Sequence, residues 1–403
     1  MRIGTPGFVP ARLTEARAAR RIPSMTELAR MLGVTSSKVS RWESGEHSPE
    51  PDALTDLARE LRVRREFFLR PVFDSTRPFF HRKLASASKR DRTYQHAQVN
   101  WLNEVSSIAQ HYVDLPELDI PDLMTSTHFK QLRDSDIEGF AMSLREHWGL
   151  GDGPCIDVVG LLERVGCVVS SIEMGTSKLD GVCSWSEIDQ RPHILLANDK
   201  MSLPRRQMDA AHELGHAILH KNVTESELKS DLKEIERQAF RFASAFLMPE
   251  TSYIRDLPNF SLAGMLTVKE RWRVSIKAQI SRLRSLGLID SDDATRMYKT
   301  YSAKGWSRVE PLDREWKLPQ PQLLKDAFQL IVDSGTRTKE DLLAVEFTLH
   351  RGDIENLANL PSGWFLKDPS PVIELALRKT HDKPAAGGMT GQIISFSNRP
   401  DKD

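Results

Sequence analysis

A five-residue run, His212-Glu213-Leu214-Gly215-His216, constrains this chain more than any other part of its sequence. Two imidazoles four residues apart can converge on one ion when they share a helix face one turn apart. The flanking sequence supplies the helix: Ser202 can cap it and Pro204 lies in its first turn. Glu213 falls beside the histidine face, where a general base reaches a metal-bound water without displacing it. A merely hydrogen-bonded buried histidine is the plainer reading of one such residue, and a poorer one for this trio. A zinc centre of this kind needs a third protein ligand and an open fourth position.

Helical phase points to that third ligand. In KEIERQAFRFASAFLMP, residues 233–249, an apolar stripe runs through Ala239, Phe240, Ala243, Phe246 and Leu247. Glu236 falls on the stripe, whereas Glu234 falls with Gln238 and Arg241 on the polar side. A carboxylate facing a core is costly unless it is paired or bound to a cation. Glu236 is therefore the expected ligand, with Zn2+ as the expected cofactor. His220 shares the His216 face, but three ligands on successive turns would spread along about 12 Å of helix axis. It is expected behind the ligands or on the surface, and Asp231 has no phase argument.

The other end of the chain reads differently. Residues 12–69 are helical throughout, with tight punctuation at Gly33, Gly45, Pro49 and Pro51. MTELARM (25–31) and TSSKVSRWE (35–43) form two short helices around Gly33 and Val34. Leu28 and Ala29 are expected to face Val34, Val39 and Trp42 across that turn. Ser36, Ser37, Lys38, Ser40 and Arg41 are left outward on the second helix. Short hydrogen-bonding side chains and cations near a helix N-terminus suit base edges and phosphates in a major groove.

Charge supports the assignment. Lys plus Arg and Asp plus Glu each number 56, so the chain is formally neutral. Residues 1–92 nevertheless carry 19 basic and 11 acidic residues, and the remainder carries the compensating excess of acid. A basic first quarter on an acidic body suits a module that meets an anion. Overall neutrality excludes a uniformly basic nucleic-acid coat. Three cysteines exclude a disulfide-stapled scaffold, and Cys155, Cys167 and Cys183 are expected as core thiols. No apolar run reaches the roughly 18 residues of a membrane span, and no signal peptide is apparent. A cytoplasmic protein without a membrane partner is the expectation.

Between these regions, CVVSSIE (167–173), GVCSWSE (181–187) and HILLAND (193–199) read as strands. HILLAND is expected as an edge strand beside the metal, able to pair with an extended substrate. The expected fold class is α+β and mostly helical: an all-α helix-turn-helix domain, then a zincin-like domain with a small sheet and the HExxH helix. The expected boundaries are 1–72 for the first domain, 73–135 for a linker and helical connector, and 136–310 for the metallopeptidase domain. A helical region follows at 311–380 and a structureless tail at 381–403. Trp272, Val274, Ile276, Ile280 and Leu283 are expected in the core. The basic positions Lys269, Arg271, Arg273, Lys277, Arg282 and Arg284 offer a conceivable second nucleic-acid face.

Two resemblances sharpen these readings. LARMLGVTSSKVSRWESGEHSPEPDALTDLARELRV, with its Trp42-Glu43-x-Gly45-x-x-x-Pro49 segment, resembles the Xre/Cro-like repressor domain. This chain has Met25 and Ser36 where many members carry Gln. RRQMDAAHELGHAILH followed by ERQAFRFASAFLMP resembles the ImmA/IrrE metallopeptidases. That likeness extends from FFHRKLASASKRDR (79–92) through SKLDGVCSW (177–185) to VKERWRVSIKAQISRLRSLGLI (268–289). It implies a gluzincin-type site with His212, His216 and Glu236 as zinc ligands and Glu213 as base. Phe240 stands where Asn or Asp is common, which implies the loss of a hydrogen bond to a ligand histidine. The better-understood members cleave an Xre-like repressor. The resemblances together imply a homodimeric regulator of double-stranded DNA that cleaves itself or a partner Xre-like repressor in a stress or mobile-element switch. A non-enzymatic regulator using the zincin-like domain as a sensor or dimerisation unit is the alternative.

Overall fold

A computed structural model describes residues 4–73, 79–81, 88–125, 127–175, 180–199 and 202–366. The tail expected to lack structure, 381–403, lies outside them. The chain opens with α1 (Pro10–Ala19), α2 (Met25–Leu32), α3 (Ser36–Glu43) and α4 (Pro51–Leu61). Pro10 and Pro51 each sit in a first helical turn, where a missing N–H is no loss. Ser24 caps α2 by accepting from the Glu27 N–H, and Thr35 caps α3 by accepting from the Lys38 N–H. Gly33 closes α2 at φ +65°, a left-handed conformation that a β-carbon would strain. Leu13, Leu28, Val39, Trp42, Leu57 and Leu61 are buried and hold the four helices together. Met31, which the spacing places with Leu28, is instead 36% exposed.

The next helix, α5 (Lys89–Gln110), opens with a capping box between Ser88 and Asp91 and packs on α1. Arg12 is fully buried where the two meet. Its guanidinium lies 3.2 Å from Glu15 and 3.2 Å from Glu104, and it donates to the Pro71 carbonyl at 2.6 Å. Such a buried ion cluster specifies an arrangement more than it adds stability.

The sheet has four strands: β1 (Phe80–His81), β2 (Val168–Ile172), β3 (Gly181–Trp185) and β4 (Pro192–Ala197). Their spatial order is β1-β3-β4-β2, with β4 parallel to β2 and antiparallel to β3. The HILLAND expectation is therefore corrected: β4 is central and buried along its length. Its continuous apolar run is the pattern of a strand covered on both faces. Alternate residues serve two cores. Val169, Cys183, Ile194 and Leu196 belong to the core that includes α8 and α10, and Val168, Val182 and Leu195 to the core that includes α1 and α5. Asn359 covers the outer edge of β2, accepting from the Ser171 N–H at 3.3 Å and donating to its carbonyl at 3.0 Å. The outer edge of β3 is taken by β1.

The remaining helices surround this sheet. They are α6 (Asp134–His147), α7 (Val158–Arg164), α8 (Leu203–Leu219), α9 (Glu225–Ser230), α10 (Leu232–Leu247), α11 (Glu250–Asp256), α12 (Leu262–Trp272), α13 (Ile276–Ser285) and α14 (Ser291–Ala303). Then come α15 (Leu323–Asp333), α16 (Lys339–Asp341) and α17 (Arg351–Leu357). Trp272, Val274, Ile276, Ile280 and Leu283 are core residues, and the three cysteines are buried free thiols. Of the basic positions around α12 and α13, Arg271, Lys277 and Arg284 are exposed. Lys269 and Arg282 are fully buried; Lys269 is held at 2.7 Å by both Glu310 and Asp313, and Arg282 is held by Glu138. Arg273 lies over the Trp316 ring.

Candidate metal centre and recognition helix

Gly215 explains why two helices meet at the metal motif. A β-carbon there would lie 3.1 Å from the Ala239 carbonyl oxygen and 3.2 Å from the Phe242 ring. Glycine inside a helix costs about 1 kcal/mol, and here it lets α10 settle against α8. That approach brings Glu236, one turn before Ala239, over the histidine face. His212 Nε2 and His216 Nε2 lie 3.1 Å apart. Glu236 Oε2 is 3.5 Å from the first and Oε1 is 3.3 Å from the second. With metal–donor bonds of 2.0–2.1 Å, the edge of a tetrahedron of donors is about 3.3 Å. The three side chains thus fit three corners of a zinc-sized tetrahedron.

Electrostatics agree with the geometry. Burial would raise the Glu236 carboxyl, but hydrogen bonds and charge from His212 and His216 outweigh it and hold the group well below the ordinary carboxylate range. Glu236 is thereby an anion ready for a cation. Glu213, the residue after His212, is fully buried. A β-carbon at residue 181 would lie 2.6 Å from its Oε1, so Gly181 at the start of β3 makes room for this carboxylate. Trp185 Nε1 donates to the Ala217 carbonyl at 3.1 Å and fixes the other end of β3 on α8. Ser202 starts α8 without a side-chain cap bond. Gln207, in the second turn of α8, accepts from the Val158 N–H and donates to the Cys155 carbonyl, tying α8 to the start of α7.

A chain of hydrogen bonds lies behind His216. Gln238 Nε2 donates to the Phe129 carbonyl at 2.8 Å and to Glu234 at 3.0 Å. Its Oε1 is left to accept from His220 Nε2 at 3.0 Å. Burial pushes the His220 pKa well below its ordinary value, so the ring is neutral and its Nδ1 is an acceptor. His216 Nδ1, 3.1 Å away, must then donate. The His216 Nε2 lone pair is thereby directed to the metal position. His220 is thus a supporting group for His216. Gln238 does not lie on a polar side, as its helical phase suggests, but is 1% exposed. Its signal is non-local, coming from Phe129 on a separate turn. Phe240 places its ring centroid 4.3 Å from that of His212, with the planes tilted by 52°.

The second candidate surface is on α3. Ser36, Ser37, Ser40 and Arg41 are exposed there. Lys38 is only partly exposed. Its ammonium pairs with Glu50 at 3.1 Å and stands 5.3 Å from the Trp42 ring centroid, so it is less free than its phase implies. Arg17 grips Glu43 at 2.6 and 2.8 Å and holds α3 against α1.

Known families match both regions. Residues 15–68 match the helix-turn-helix family, and residues 162–284 match the IrrE N-terminal-like domain, a peptidase family. The chain thus carries a helix-turn-helix region and, separately, a region like the IrrE/ImmA-type peptidase domain. No curated protein matches the chain. Among the described residues, no helix is long and apolar enough to cross a membrane.

Proposed function

We propose that this protein is a DNA-binding transcriptional regulator carrying a zinc-dependent endopeptidase, which cleaves itself or a partner Xre-like repressor and so relieves repression under stress or in a mobile element. It acts in the cytoplasm as a homodimer, with α3 of each copy in the major groove of one half-site. Ser36, Ser37, Lys38, Ser40 and Arg41 supply the base and phosphate contacts. The observation that carries the enzymatic reading is the convergence of His212 Nε2, His216 Nε2 and the Glu236 carboxylate at tetrahedral spacing.

A zinc ion held by these three residues supplies Lewis acidity toward the scissile carbonyl and lowers the pKa of water. Glu213, beside the ligand face, takes the proton from the attacking water as the new C–O bond forms. It returns that proton to the departing amine as the C–N bond breaks, so no proton is left over. His220 and Gln238 keep His216 in the tautomer that leaves Nε2 free.

Metal content, measured by mass spectrometry on purified protein, tests the reading. Near one zinc per chain is expected for the wild type and almost none for the His212→Ala, His216→Ala double variant. Glu213→Gln is expected to keep its zinc and lose about 100-fold to 10,000-fold in cleavage of itself or a co-purified repressor. No zinc in the wild type after zinc loading would overturn the enzymatic reading.

A further inference from the structure

The proposed peptidase site has a resident beside it. β1, the Phe80–His81 segment between the DNA-binding helices and α5, pairs antiparallel with the outer edge of β3, Phe80 opposite Cys183 and His81 opposite Val182. That edge borders the metal centre. The Glu213 carboxylate packs on Gly181, one residue from the β1 pairing. The Phe80 side chain is 2% exposed, and its ring stacks on His216 at 4.9 Å with the planes 12° apart. It also lies 5.8 Å from the His220 ring, which Phe129 meets from another side at 6.1 Å. An extended segment thus adds to the outer edge of β3 and places one aromatic side chain against a proposed ligand histidine. These are the two elements of peptide recognition by strand addition: main-chain pairing for affinity, and a side-chain subsite for specificity.

We infer that β1 is a cis-bound peptide in the substrate groove, and that the groove selects extended peptides with an aromatic side chain in the His216–His220–Phe129 subsite, in competition with Phe80. This rests on the peptidase reading only for what happens after binding; the groove and its occupant stand without it. The occupant is built to be displaced. It pairs with two of the five residues of β3. A longer peptide pairing along the whole strand gains more backbone hydrogen bonds. It also reaches a cavity of about 330 Å³ at the Trp185 end, lined by Ile120, Met124, Phe129 and Trp185. Upstream, Arg12 of α1 holds the Arg70 and Pro71 carbonyls, so the segment leading to β1 is tied to the DNA-binding helices.

The test is fluorescence anisotropy with a labelled hexapeptide, Arg-Pro-Phe-Phe-His-Arg, copied from residues 77–82. The full chain is used, metal-free and zinc-loaded, with Glu213→Gln in the zinc-loaded arm to prevent cleavage. Phe80→Ala, checked for folding by circular dichroism, is expected to bind the peptide at least tenfold more tightly than the wild type. Phe80→Leu, which keeps most of the apolar volume, should shift binding the same way by less. The peptide with Ala in place of its second Phe should bind at least tenfold more weakly to Phe80→Ala. Equal affinity of the wild type and both variants, or of the two peptides, overturns the proposal. Binding by metal-free protein together with a failure to take up zinc would sink the enzymatic reading and leave the groove standing.

Discussion

The proposed recognition helix, α3, and the candidate metal helix, α8, were both legible from the same 3.6-residue phase, yet they keep their polar groups in opposite environments. α3 holds Ser36, Ser37, Ser40 and Arg41 in solvent, whereas α8 buries His212, Glu213 and His216 completely. An exposed serine costs the fold almost nothing, so its presence says little about what it meets. A buried imidazole pair facing a partly buried carboxylate is costly without a partner. The buried set is therefore the more diagnostic of the two, and it is the one whose removal the fold should feel.

The largest effect tests that contrast directly. Zinc is expected to raise the melting temperature of the wild type, since an ion bound only by the native state stabilises it. The His212→Ala, His216→Ala variant should show no such rise in calorimetry with and without zinc. An equal rise in both would place the metal elsewhere.

Glu163 asks whether burial costs as much away from the metal. Its carboxylate accepts from the Gln322 and Leu323 N–H groups, but burial raises its pKa to about 7. The folded pKa lies above the unfolded one, so its favourable contribution is complete at low pH and is lost as pH rises through 7. Between pH 5 and pH 8 the wild type should lose up to about 3 kcal/mol relative to Glu163→Gln. Parallel pH–stability curves for the two proteins would refute this.

Gln238→Ala is expected next in size. It strips the acceptor from His220 and frees the His216 tautomer, which should weaken zinc binding by about 10-fold to 100-fold. Competition against a chromophoric chelator measures it, and an unchanged zinc constant would remove the relay from the argument. Arg41→Ala should change stability least, within about 0.5 kcal/mol. Its DNA affinity, measured on an operator found by in vitro selection, should fall by about 1–3 kcal/mol. A large loss of stability would show that α3 is less independent of the core than its exposure indicates.

What the sequence disclosed follows from where its signals are local. The caps of α2 and α3, the Gly33 turn and the phase that selects Glu236 over Glu234 are all contained in short windows. The sequence could not disclose what depends on distant partners. Gln238 reads as polar-face because its acceptor, the Phe129 carbonyl, belongs to another turn. β4 reads as an edge because nothing local announces that β2 and β3 flank it. Lys269 and Arg282 read as solvated cations because Glu310, Asp313 and Glu138 lie far away in sequence. A two-residue strand such as β1 is below the length at which alternation is visible at all.

One feature of the first module reaches beyond it. Arg20 pairs with Asp353 of α17, while Arg64 and Arg70 donate to carbonyls between residues 343 and 347. Val63 bridges to Leu349 as well. The helix-turn-helix region is thus bolted to residues 343–353 rather than hung on a string. In a dimer, the separation of the two α3 helices would be set by the whole body, which acts as a ruler. Operators would then be discriminated by the number of base pairs between half-sites as sharply as by the bases within them.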